Sequence, residues 1–175
     1  MANKQALRDL QHRLAQRMQA ARETTQTVQW LAVECAGQAL LFPLKQAAEI
    51  FAPVPLKAVP YAKPWMLGVA NLRGGLHTVI DLAMFLGLRE TGNRLEAQQA
   101  RLVALNAELN INCALQVDKL LGLRGDEHFQ PDTGESSGPR PRFAGARLLD
   151  QQGRRWQVLD LEALSRHEQF LRIVD

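Results

Sequence analysis

Residues 68–88 read GVANLRGGLHTVIDLAMFLGL, and the fold turns on how this stretch is read. Val69 to Leu72 is a short apolar run, long enough for one strand. Arg73-Gly74-Gly75 signals a turn, because glycine reaches positive φ without a steric penalty. Leu76 to Asp81 is a second apolar run, and its Val79-Ile80 pair fits a pleated, half-buried strand. Asp81 stands directly before Leu82, Phe85 and Leu86, spaced like one face of a helical turn, with Gly87 placed to stop it. The unit is strand, glycine turn, strand, capped short helix.

Upstream, Val28 to Cys35 and Ala39 to Phe42 are apolar runs around Ala36-Gly37-Gln38, which predicts a hairpin. Ala47 to Phe51 is a further short strand. Pro53, Pro55, Pro60 and Pro64 then mark a loop, and Lys63 to Met66 reads as a single helical turn. Before the hairpin, Asn3 can cap a helix from Lys4 to about Arg22. Its Leu7, Leu10, Leu14, Met18 and Ala21 share one face and its basic residues the remainder. That stripe suits a membrane surface, a partner, or packing on the helix's own domain. Residues 1–27 are therefore set apart as amphipathic helix and linker.

Downstream, Arg89 to Gln99 is a polar connection between lobes, with the crossing expected near residues 89–100. Arg101 to Leu105 and Ile111 to Val117 predict a hairpin around Asn106 to Asn110, and Asp118 to Arg124 continues as a strand. Gln130 to Pro141 is rich in proline, glycine and serine and reads as loop. Phe143 to Leu149, a turn at Gln151-Gln152-Gly153, Trp156 to Leu159 and one helix from Leu161 to Leu171 complete the pattern. Many short strands with regular turn signals predict a mainly β chain of small barrels rather than a layered α/β sheet.

Composition narrows the function classes. The chain has 175 residues, 46% apolar and 22% charged, which suits one domain or two small lobes sharing a core. Its 21 basic and 18 acidic residues leave a formal charge of +3, a weak signal for nucleic acid. Cys35 and Cys113 each sit inside an apolar run without a C-x-x-C, as buried free thiols would in a reducing compartment. No run approaches the ~20 apolar residues that span a bilayer, and no signal peptide is evident, so the cytoplasm is expected. Nucleotide-binding, nucleophile-elbow and zincin motifs are absent. His12, His77, His128 and His167 are isolated in sequence. Asp81 and Asp118, at strand ends, suit backbone capping. We expect no catalytic residue, metal or cofactor.

Gly68-Val69, Asn71-Leu72-Arg73-Gly74, Val79 and Asp81-Leu82 resemble the GV-x-N-x-RG-x(4)-V-x-DL signature of the CheW-like adaptors of bacterial chemosensory arrays. Ala114-Leu115-Gln116-Val117-Asp118 is similar to that family's second signature, G-L-x-V-D, and Leu159-Asp160 resembles its closing L-D. The resemblance covers Val28 to the C-terminal helix, about residues 28–172. The leading basic helix, Lys63-Pro64-Trp65 and the ending HEQFL look most like the type IV pilus (PilI) branch. Three departures stand out: Thr78 where proline is usual, Ala114 for glycine, and Arg142-Phe143-Ala144 for the closing Tyr-Ile segment.

The resemblance implies two five-stranded, SH3-like β-barrels around a shared core. It also implies a coupling protein without chemistry of its own, joining the hairpin tip of a chemoreceptor to the regulatory domain of a CheA-like histidine kinase. Ala47, Glu49, Arg73, Leu120 and Leu123 fall at receptor-binding positions; Leu56, Val59, Gly68 and Leu76 fall at kinase-binding positions. Read from the residues alone, Arg73 can anchor a partner's carboxylate or clamp carbonyls of its own lobe, and Leu120 and Leu123 can be plain core. A different class of function is a small basic barrel binding nucleic acid through Arg140, Arg142, Arg147, Arg154 and Arg155, with only Phe143 and Trp156 available for stacking. The expected partners are receptor and kinase, without nucleic acid and without membrane insertion.

Overall fold

Side-chain alternation explains the architecture. In β1 (Val28–Cys35), Leu31, Val33 and Cys35 enter one apolar cluster while Ala32, with Trp30 packed on it, enters another. In β2 (Gln38–Pro43), Leu40 and Phe42 join the first cluster and Ala39 and Leu41 the second. A strand that is apolar on both faces needs a core on each side. The β1–β2 hairpin is therefore a wall between two cores.

A computed structural model describes residues 11–18, 28–93, 99–134 and 138–174. Its further strands are β3 (Ala47–Phe51), β4 (Met66–Leu72), β5 (Gly75–Asp81), β6 (Arg101–Leu105), β7 (Cys113–Val117), β8 (Lys119–Gly125), β9 (Phe129–Pro131), β10 (Ala144–Asp150) and β11 (Arg155–Leu159). They form a six-stranded sheet, β8-β1-β2-β11-β10-β9, and a five-stranded sheet, β3-β6-β7-β5-β4. The second sheet curls on itself. The chain beyond β3 reaches β4 through the Lys57–Val69 bridge, and Glu49 on β3 meets Arg73 at the end of β4. Gly68 permits this closure: it is buried with φ +147, and a Cβ there would stand 2.5 Å from the Lys57 carbonyl oxygen. Inside the curl lie Ala70, Leu72, Val79, Leu102 and Ala114. Inside the six-stranded sheet lie Ala32, Ala39, Leu41, Trp156 and Val158. The largest cluster fills the space between the sheets.

The mainly β architecture of two sheets around a shared core is as expected, with several corrections. The first sheet has six strands because Phe129–Pro131 pairs with β10, a strand too short to show in the sequence pattern. The chain does not change sheets near residues 89–100, since β5 and β6 belong to the same sheet. It crosses at residues 44–46, a 3-10 turn, and again at Asp118. Lys63 to Met66 is a turn rather than a helix, closed by Met66 N–H to Lys63 O at 2.9 Å.

Helix α1 spans residues 11–18; the remainder of the expected leading helix lies outside the described residues. Helix α2 (Leu82–Phe85) is capped by Asp81 as expected. The expected C-terminal helix is two: α3 (Leu161–Ser165) and α4 (Glu168–Leu171). His167 between them is extended, at φ −74 and ψ 129. The break buries Phe170 against Trp65 and Phe85 and leaves Leu171 exposed, where an unbroken helix would keep Leu171 on the stripe of Leu161 and Leu164.

The order conceals a duplication with exchanged hairpins. Strands β1 to β5 and then α2 match β6, β7, β8, β10, β11 and then α3 in sequence. Each half gives its first hairpin to one sheet and its remaining strands to the other. Val79-Ile80-Asp81-Leu82 and Val158-Leu159-Asp160-Leu161 are the repeated ends, and Gly74 and Gly153 precede them at the same spacing.

Candidate interaction site

The tip of the β4–β5 hairpin presents its side chains by force of geometry. Leu72 pairs with Gly75, leaving a two-residue turn of Arg73 and Gly74, both left-handed at φ +49 and +83. Two positive φ values make the turn that matches strand twist. Asn71 Oδ1 accepts the Gly74 N–H at 2.8 Å and locks it. Arg73 is bulky for this backbone region, which costs about 1 kcal/mol or more. Its side chain is 77% exposed and meets Glu49 Oε1 at 2.6 Å. The internal clamp on carbonyls is not formed; an exposed ion pair is, and such pairs contribute about 0–1 kcal/mol.

Of the other expected site residues, Leu76 is 64% exposed on the same hairpin tip and Leu123 is 53% exposed on β8. The hairpin tip thus carries one residue from each expected interface, Arg73 and Leu76. Ala47 is buried in the shared core, and Gly68 serves barrel closure. Leu120 and Val59 pack on the shared core, and Leu56 packs on the core of the second sheet. Leu120 and Leu123 lie in the other sheet from Glu49 and Arg73.

Two polar junctions tie the crossovers to the capping aspartates, and the sequence reading missed the residue central to one of them. Arg89 Nη1 lies 2.9 Å from Asp81 Oδ2, and its Nη2 lies 2.6 Å from Asp118 Oδ1. All three side chains are nearly enclosed. The two carboxylates also cap backbone as expected: Asp81 accepts the Met84 N–H and Asp118 the Ala36 N–H. These contacts raise Arg89 above its usual range, against the opposing effect of burial, which is the largest single influence. At the other crossover, Gln46 Nε2 donates to Asp160 Oδ1 and Gln46 Oε1 accepts the Leu161 N–H.

No group of three or more potential metal ligands occurs among the described residues. Both cysteines are buried and free, and desolvation pushes each thiol up to about 12, far from a reactive thiolate. The arginines of the nucleic-acid reading are largely engaged: Arg140 bonds Gln157 and the Gly145 carbonyl, Arg154 pairs with Glu34, and Arg155 with Asp132. Phe143 and Trp156 are buried and offer no stacking face. Thr78 uses the N–H that proline would lack, donating to Asn112 O at 2.9 Å. No described helix is long and apolar enough to cross a membrane.

The family model for the CheW-like domain matches residues 29–169. The chain is 28% identical over 165 residues to Protein PilI of Pseudomonas aeruginosa, covering 91% of this chain and 87% of that protein. It is 31% identical over 138 residues to a probable chemotaxis protein CheW of Rhizobium etli, covering 77% and 84%. The crystal structure of scaffolding protein TtCheW from Thermoanaerobacter tengcongensis superposes with a TM-score of 0.62 at 17% identity, covering 77% of this chain and 89% of that one, which establishes the shared fold.

Proposed function

Because the chain belongs to the CheW-like family of scaffold adaptors, we propose that it couples methyl-accepting chemoreceptors to a CheA-like histidine kinase in the cytoplasm, serving pilus-based twitching motility. The observation that carries the reading is Arg73, held outward by a left-handed turn and paired, among the described residues, with Glu49 across an exposed face. A planar guanidinium so placed can exchange Glu49 for a carboxylate on the receptor hairpin. Leu76, on the same tip, supplies apolar area to the kinase's regulatory domain, while Leu123 widens the receptor surface from the other sheet. The resemblance to the PilI branch supports the pilus assignment.

The test is binding of the full chain to a receptor hairpin fragment and to the kinase regulatory domain, by calorimetry. Arg73→Glu should weaken receptor binding at least tenfold and move the unfolding midpoint by only a few degrees. Leu76→Glu should weaken kinase binding instead. If Arg73→Glu leaves both affinities unchanged, the adaptor site lies elsewhere.

A further inference from the structure

The six-stranded sheet has an open mouth that the adaptor reading does not use. It is a cavity of about 670 Å³ lined by Trp30, Pro43, Leu44, Gln46, Val158 and Asp160. Trp30 and Val158 are continuous with the apolar interior of that sheet, so its core is reachable from solvent at this point. Mouths of small barrels are common ligand positions, and the volume suits a few aliphatic side chains.

The chain itself brings a candidate to this place. Gln29 and Trp30, at the start of β1, stand on the rim, so whatever precedes Val28 leaves the domain here. Helix α1, residues 11–18, lies outside the segment matched by the family model. Leu14 and Met18 stand four residues apart on one face and are 58% and 56% exposed. In water an amphipathic helix draws most of its stability from packing its apolar stripe on a surface. Nine residues, 19–27, lie between residue 18 and Val28, a chain length that spans at most about 30 Å. Charge around the mouth is mixed: Asp160 and, 2.6 Å from the Trp30 indole, Asp126 stand against Lys45 and against Arg140, which bonds the carbonyl of the lining Gly145, while α1 carries Arg13 and Arg17.

We propose that α1 is an intrachain plug: its Leu14–Met18 face docks reversibly in the barrel mouth, in competition with any apolar segment a partner offers there. The mouth is then a second binding surface, separate from the Arg73 tip, that this chain regulates with its own N-terminal segment.

Cysteine trapping in the full chain tests this, since Cys35 and Cys113 are buried. Met18→Cys combined with Lys45→Cys, an exposed rim position, should form a disulfide within one chain under mild oxidation. Adding Leu14→Glu should slow that bond at least tenfold, because the apolar contact rather than tether collision selects the geometry. Iodide quenching of Trp30 should also rise in Leu14→Glu alone. An unchanged trapping rate with Leu14→Glu overturns the plug. So does the absence of any bond, and so does a bond found only between chains, which would make the occupant a second copy.

Discussion

The two crossovers between the sheets carry the same helix cap and answer different electrostatic problems. At the first, Gln46 precedes β3 and reaches Asp160, the cap of α3, directly. At the second, Asp118 precedes β8 in the matching position, and the cap it must reach is Asp81. Two carboxylates cannot share a dry junction, so Arg89 stands between them with a guanidinium nitrogen on each. One architecture is thus closed once by a neutral amide and once by an ion triad. A buried ion pair offers little net stability over a well-packed apolar contact, yet breaking it is costly. The amide junction should therefore be the more forgiving of the two.

The sharpest way to break this comparison is to truncate each junction. Arg89→Ala leaves two enclosed carboxylates facing each other, and should cost about 3–5 kcal/mol, lowering the midpoint by roughly 10 °C for a chain of this size. Gln46→Ala leaves the Leu161 N–H without its acceptor while Asp160 keeps its cap contacts, and should cost about 1–3 kcal/mol. Thermal and urea unfolding of both variants decide the matter. Equal losses would mean that the ion triad is no more demanding than the amide.

The thiols sharpen it further. Cys35 lies beside the charged junction: its pKa is raised first by burial and then by Asp118, whereas burial alone accounts for Cys113. Both reach about 12 in the folded chain, against 9.0 for an ordinary thiol. The unfolded chain therefore loses these protons first. Stability from this source is complete below pH 9 and declines between pH 9 and pH 12, by about 1.4 kcal/mol per pH unit for each thiol. Urea midpoints measured across that range should fall steeply, and Cys113→Ala should halve the slope. In Arg89→Ala, labelling of Cys35 should accelerate more than labelling of Cys113; equal acceleration would show global opening rather than loosening of one junction.

How much of this was legible follows from where each residue sits. The strand, turn, strand and cap of residues 68–88 could be read directly because turn chemistry and apolar alternation agree there. Asp81 and Asp118 were legible as caps, since short acids at strand ends have backbone donors within reach. Arg89 was not. It lies in the polar run Arg89-Glu90-Thr91-Gly92-Asn93, which has the composition of a solvated linker. What buries it is a tertiary return: after Gly87 the chain folds back so that the Leu88 and Arg89 N–H groups reach the Ala83 carbonyl. The exchange of hairpins was hidden for a similar reason, because apolar runs do not disclose which sheet they join. The signal that could have exposed it is the pair Val-Ile-Asp-Leu and Val-Leu-Asp-Leu, each at the same distance from a turn glycine. The exposure of Arg73 was legible from its turn, that of Leu76 entered only through the resemblance, and the enclosure of Ala47 depends on strands far away in sequence.

The repeated hairpin tips give the smallest and most selective effect. At the β10–β11 tip, Asp150 accepts the Gln152, Arg154 and Trp156 N–H groups, and Arg154 pairs with Glu34 while lying 5.0 Å over the Trp156 ring. That arginine is occupied by its own fold. Lys119 first and Arg154 second hold Glu34 below the usual carboxylate range. Glu34 thus contributes stability above about pH 4.5, and the contribution fades as pH falls below that value. Arg154→Ala should cost under about 1 kcal/mol at neutral pH and flatten the acid limb of the stability profile, with partner binding unchanged. At the β4–β5 tip the balance is reversed. Arg73→Gly relieves a left-handed arginine and removes an exposed pair, while glycine adds entropy to the unfolded chain. These terms offset to within about 1 kcal/mol. Receptor binding should nevertheless fall as far as in Arg73→Glu. If Arg73→Gly binds normally while Arg73→Glu does not, the tip tolerates a missing arginine and rejects only a carboxylate, and the anchor must be sought on Leu123 and its neighbours.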